Sequence, residues 1–139
     1  MSKTIPALDD AIISWIETQP VFFVAAAPDG PGGHVKVSPK GHDTFRVLDP
    51  MRVAYLDLTG SGAEMIAHLR QSGRITVIFP GFAGPPRIVR VHGRGTVHAQ
   101  QRRLLVAPAL VRGHARRSRN HRDRDRTVVD VMWILRAIS

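Results

Sequence analysis

Residues 52–79 read RVAYLDLTGSGAEMIAHLRQSGRITVIF, and the parts of this stretch frame the fold. Arg52 to Leu58 is apolar and aromatic enough to read as a strand. Thr59-Gly60-Ser61-Gly62 follows, a loop of two hydroxyls and two glycines. From Ala63 to Gln71 the spacing is helical, with Met65, Ile66 and Leu69 on one face and Gly73 closing the helix. Ile75 to Phe79 is a short apolar run with the length of a buried strand.

The flanks decide how these pieces assemble. Upstream, Leu8, Ile12, Trp15 and Ile16 recur at helical spacing, with Asp9 and Asp10 at the positive end of the helix dipole and Gln19-Pro20 as the stop. Val21 to Ala26 is a second apolar run, Pro28 to Gly33 is dense turn chemistry, and His34 to Ser38 alternates polar with apolar. Phe45 to Leu48 and Arg52 to Leu58 form a hairpin about Asp49-Pro50. Downstream, Gly81 to Pro86 is a turn and Ile88 to Val97 alternates again. Six strands joined mostly by tight turns, with a helix in front and a short helix after the fourth strand, do not alternate regularly with helices. A doubly wound parallel sheet is therefore disfavoured, and the expected class is mainly β (α+β), a six-stranded antiparallel barrel.

Composition narrows the function classes. The 139 residues fit one domain, and no apolar run is long enough to span a bilayer. The chain has no cysteine, which removes disulfides, thiolate metal sites and a cysteine nucleophile. The N-terminus lacks a secretory pattern, so a cytoplasmic location is expected. The net charge of +9 is unevenly spread. Residues 1–100 carry 10 basic against 8 acidic side chains, whereas residues 101–139 carry 10 arginines against 3 aspartates. Basicity belongs to the tail, and with it any nucleic-acid binding through phosphate neutralisation. No aromatic residue stands between 99 and 132 to stack on bases.

Three stretches could carry chemistry. Thr59-Gly60-Ser61-Gly62, at the mouth of a helix, reads on composition first as a Ser/Thr cap with turn glycines, and otherwise as a phosphate cradle. It is neither a Walker loop nor a GxGxxG fingerprint. Lys36, Ser38 and Lys40 alternate onto one side of a strand and its exit, where they meet an anion or simply face water. Arg90, His92 and Arg94 share a face of a later strand, with the same two alternatives. The seven histidines show no paired ligand spacing, so no metal is expected, and Asp43 and Asp57 read as turn and strand-edge residues.

In their order, VFFVAAAP, HVKVSPKGHDTFRVL, the stretch from Arg52 to Phe79 and GPPRIVRVHGRGTVH resemble the pyridoxamine-phosphate-oxidase-like proteins over about residues 10–98. The resemblance implies a homodimer of six-stranded split barrels with a flavin at each end of the subunit interface. It implies an FMN phosphate held by Thr59, Gly60, Ser61 and Gly62, with Ser38 and Lys40 near the ring or ribityl chain and Arg87 and Arg90 as further contacts. The oxidase proper carries an Arg-Lys pair after the loop; here Ala63-Glu64-Met65 stand near those positions. An FMN-dependent oxidoreductase of unassigned substrate is the implied function, with a deazaflavin as the alternative cofactor. The competing expectation is a non-enzymatic nucleic-acid binder acting through the arginine tail.

The resemblance stops near Ala99, so a domain is expected over 1–98 and an arginine-rich tail over 99–139. That tail reads either as an atypical basic arm or as a shifted reading frame. With arginine codons of the CGN type, moving one base forward turns Asn120 to Asp125 into a β-branched, apolar stretch. In the same frame the single-codon residues Met132-Trp133 become Cys-Gly, and members of the resembling branch carry Cys-Gly-Tyr near the C-terminus.

Overall fold

The computed structural model describes residues 4–41, 44–58, 62–99 and 126–138. The elements run β1 (Thr4–Ile5), α1 (Asp10–Glu17), β2 (Phe22–Ala26), β3 (Lys36–Lys40), β4 (Phe45–Asp49) and β5 (Arg52–Leu58). They continue with α2 (Gly62–Gln71), β6 (Arg74–Pro80), β7 (Ile88–Ala99) and β8 (Arg126–Ile138). All strand pairs are antiparallel, in the order β3-β2-β6-β7-β8-β5-β4, with β1 added on β8. Among the described residues the chain is mainly β with two helices.

Two features depart from the sequence expectation. The sheet has eight strands, not six. The additional ones are the two-residue β1 and the long β8, which lies between β7 and β5. Thr127, Val128, Val129 and Val131 give β8 the β-branched character of a strand, and the arginine-rich composition just before it hides that signal. Of the arginine run at 112–126, on which the nucleic-acid expectation rests, all but Arg126 at the start of β8 lies outside the described residues. Second, the sheet is an open path: among the described residues, no backbone pairing closes β3 onto β4 or β5. No helix of the described chain is long and apolar enough to cross a membrane.

Local chemistry explains the elements. Asp9 caps α1, its carboxylate accepting from the Ile12 N–H at 2.8 Å. The helix then buries Ile12 and Ile16 in the core, beside Leu8 just before the cap. Pro39 sits within β3, which is tolerated because β3 is an edge strand. Gly73 ends α2 with φ at +67°, a left-handed conformation costly for any residue with a Cβ. Its carbonyl accepts from the Gly95 N–H at 2.8 Å. A Cβ on Gly95 would lie 3.0 Å from the Leu69 side chain, so the bare residue lets α2 pack onto β7.

The two faces of the sheet differ. Phe22, Val24, Ile75, Val77, Phe79, Val89 and Val91 line the inner face and are buried. Phe23, Ala25, Ile78, Thr76, Arg90 and His92 alternate with them onto the outer face and are only half-buried. Inside, Phe22 lies 5.3 Å from Phe45 and 5.6 Å from Phe79, and Phe45 meets Phe79 edge-on at 4.8 Å. Such pairs add to the area they bury.

Candidate functional site

The gap between the two ends of the sheet is where the chain concentrates its polar chemistry. Lys36, Ser38 and Lys40 pair in register with Ala26, Val24 and Phe22, so all three belong to the inner face of β3. Across the gap stand β5 and the start of α2. The Lys40 ammonium donates to Asp57 Oδ1 at 2.7 Å, with side chains only 10% and 2% exposed. Lys36 pairs with Glu64 on the first turn of α2 at 3.5 Å. Two ion pairs and the Phe22–Phe45 contact thus join what the backbone leaves open.

Asp57 is therefore no strand-edge residue. It is 2% exposed, and its second oxygen, Oδ2, has no partner among the described residues. Two residues earlier on the same strand face, Tyr55 is fully buried and its hydroxyl also lacks a partner there. Burial first, then the charge of Asp57, pushes the Tyr55 phenol far above its ordinary value. Ser38, 7% exposed, is one of only three buried polar residues in the described core, with Asp57 and His68.

The expected site residues do not all converge. Ser38 and Lys40 lie together on the inner face, and Gly62 opens α2, whose Glu64 meets Lys36. Thr59, Gly60 and Ser61 lie outside the described residues. Arg87 is drawn away to α1, its guanidinium 4.8 Å from the centre of the Trp15 ring. Arg90 pairs in register with Ile78, which puts it on the outer face, opposite to Ser38 and Lys40. Within one chain the two sets cannot touch the same small ligand. The pairing of Glu64 with Lys36 and the burial of Tyr55 and Asp57 are not legible in the sequence, because nothing local to β5 shows that β3 comes to meet it. Among the described residues, no group of three or more His, Asp or Glu converges as a metal site would require.

Comparison with known proteins places this geometry. Over 93 residues the chain is 50% identical to the pyridoxamine 5'-phosphate oxidase family protein ustO of Aspergillus flavus. Over those residues the chain is similar to the pyridoxamine 5'-phosphate oxidase-like proteins. The match takes in 66% of this chain but 37% of the relative, so the chain spans little more than a third of that protein's length. No family model matches. Among solved structures, a pyridoxamine 5'-phosphate oxidase-like protein of Lactobacillus delbrueckii superposes with a TM-score of 0.67 at 17% identity, covering 99% of both chains. The FAD-binding protein of Mycobacterium smegmatis gives 0.60 at 10% identity, over 96% of this chain and 95% of that one. An F420 reductase gives 0.65 at 12% identity, over 95% and 98%. At these identities the likeness is one of fold.

Proposed function

We propose that this chain binds FMN in the gap between β3 and the β5–α2 junction and serves as an FMN-dependent oxidoreductase on the split-barrel scaffold. The observation that carries the proposal is the convergence of the inner row of β3 on the N-terminal turn of α2, joined by Lys36–Glu64 and Lys40–Asp57. The donor set fits the group. Backbone N–H groups at the start of α2, with Thr59, Gly60, Ser61 and Gly62, suit a phosphate. Ser38 and Lys40 suit the carbonyl edge of a ring or the hydroxyls of a ribityl chain. Bound FMN supplies a two-electron sink that exchanges a hydride with the substrate. The chain's own residues hold, orient and shield it. Asp57 fixes the Lys40 ammonium, and buried Tyr55 and Phe22 keep the floor of the gap dry. A deazaflavin is the second cofactor reading, favoured by the shared fold with an F420 reductase.

Glu64 distinguishes this site from one with a cationic pair at the same place. Its carboxylate opposes a phosphate at the mouth of α2 and occupies Lys36. Glu64 is half-exposed, so the effect is screened. Glu64→Gln is expected to tighten FMN binding by about three- to tenfold, in line with a charge interaction of roughly 1 kcal/mol in a wet site. Parallel fluorescence titrations of the two proteins check this, and weaker binding by the variant would contradict it.

Assembly follows from the outer face. Val37 is 58% exposed, and Phe23 and Ile78 are half-buried on the same side. An apolar strip of this kind is commonly a covered surface. A twofold dimer through it covers the strip and lets Arg90 of one subunit approach the flavin of the other. Light scattering at tens of micromolar is expected to return twice the chain mass; a monomer would contradict the dimer.

A further inference from the structure

The outer face holds a concavity whose lining includes none of the β3–α2 ion-pair residues. It has a volume of about 460 Å³, within the range of small-molecule sites. Two cross-strand rows build it. Ala25, Thr76 and His92 stand side by side on β2, β6 and β7, and Arg74 lies directly opposite Arg94. Val35, 66% exposed, stands at the rim.

The Arg74–Arg94 pair is a cost to the fold taken alone. Like charges directly opposite each other in an antiparallel pair are destabilising. Neither guanidinium has a carboxylate partner among the described residues. Arg94 gives one N–H to the Ser72 carbonyl at 3.2 Å, which aims its group without neutralising it. His92 is aimed as well: its Nδ1 and the Thr76 hydroxyl are 2.9 Å apart. When the hydroxyl donates to Nδ1, or when the ring is protonated, Nε2 carries a hydrogen. Two guanidiniums and an imidazole thus line one cavity whose remaining walls, Ala25 and Val35 among them, are apolar.

We infer that this cavity is a binding site for a small organic phosphate, separate from the proposed flavin site, with Arg74 and Arg94 taking the phosphate and the apolar wall taking the organic body. Arginine suits this task because its planar fork meets phosphate oxygens two at a time. A phosphate between the two guanidiniums also removes their mutual repulsion, so ligand binding and local stability reinforce each other.

The test uses the full chain with adenosine monophosphate as the probe and adenosine as its uncharged control, followed by calorimetry at low salt. The monophosphate is expected to bind at least tenfold more tightly than adenosine. The double variant Arg74→Ala/Arg94→Ala is expected to weaken it tenfold or more while FMN binding stays unchanged. Both arginines are exposed, so the variant is expected to keep the native circular dichroism spectrum. Equal binding of adenosine and its monophosphate would overturn the inference. So would undiminished binding by the double variant, which would put the anion on the arginine tail. Parallel loss of FMN would assign the cavity to the flavin site and overturn it as a separate one. Failure of FMN to bind either protein, with the monophosphate result intact, would leave this site standing and remove the flavin proposal alone.

Discussion

Asp57→Ala is expected to destabilise the fold by about 3–5 kcal/mol, measured as a lowered urea midpoint at unchanged slope. The side chain removed is 2% exposed and neutralises Lys40, itself only 10% exposed. Without the carboxylate, Lys40 must hold a charge in an apolar pocket, swing out to water, or give up its proton. Each of these costs stability. The pair also does topological work. β3 and β5 stand near opposite ends of the sheet path, and the Lys40–Asp57 bond of 2.7 Å ties them where no ladder does. Replacing both partners, as Lys40→Met with Asp57→Leu, is expected to recover most of the loss, because an apolar pair of similar volume carries no desolvation penalty. A single variant that loses under about 1 kcal/mol, or a double variant no better than the single one, would contradict a buried tie. If Asp57→Ala does not fold at all, the double variant still decides.

Ser61→Glu is expected to weaken FMN binding by a hundredfold or more. It removes a hydroxyl donor from the phosphate loop and sets a carboxylate against a dianion. The lost charge-assisted bond is worth about 1.5–3 kcal/mol and the repulsion adds to it, so the sum passes two powers of ten. Ser61 precedes α2, whose core contacts come from Met65 and Leu69, and stability should change little. Titration of folded variant protein with FMN reads the effect.

Much of this architecture is legible in the sequence, for reasons that differ by element. Leu8, Ile12 and Ile16 declare α1 because a 3.6-residue period buries one stripe, and all three are buried. In β6, Ile75, Val77 and Phe79 show the two-residue period, and each faces the core. β8 was hidden because arginine-rich composition masks the Thr127–Val131 run, and strand length alone does not say where a strand inserts. The site was half legible. Ser38 and Lys40 stand on one face because alternation fixes that. The meeting of Lys40 with Asp57, and of Lys36 with Glu64, depends on two ends of a sheet curling together, a long-range event that no local pattern encodes. For the same reason Arg90 looked like a companion of Lys40, whereas register sets it on the other face. Arg87 is expected from the resemblance as a further flavin contact; its guanidinium stacks on Trp15, 72 positions away in the chain, a partner that no local pattern shows.

The most direct test of the flavin proposal is titration of the purified full chain with FMN, followed by quenching of flavin fluorescence. Saturable quenching in the micromolar range, at one flavin per chain and lost in Ser61→Glu, is the predicted result. Absence of quenching at FMN concentrations well above micromolar, in protein shown to be folded by circular dichroism, would contradict it.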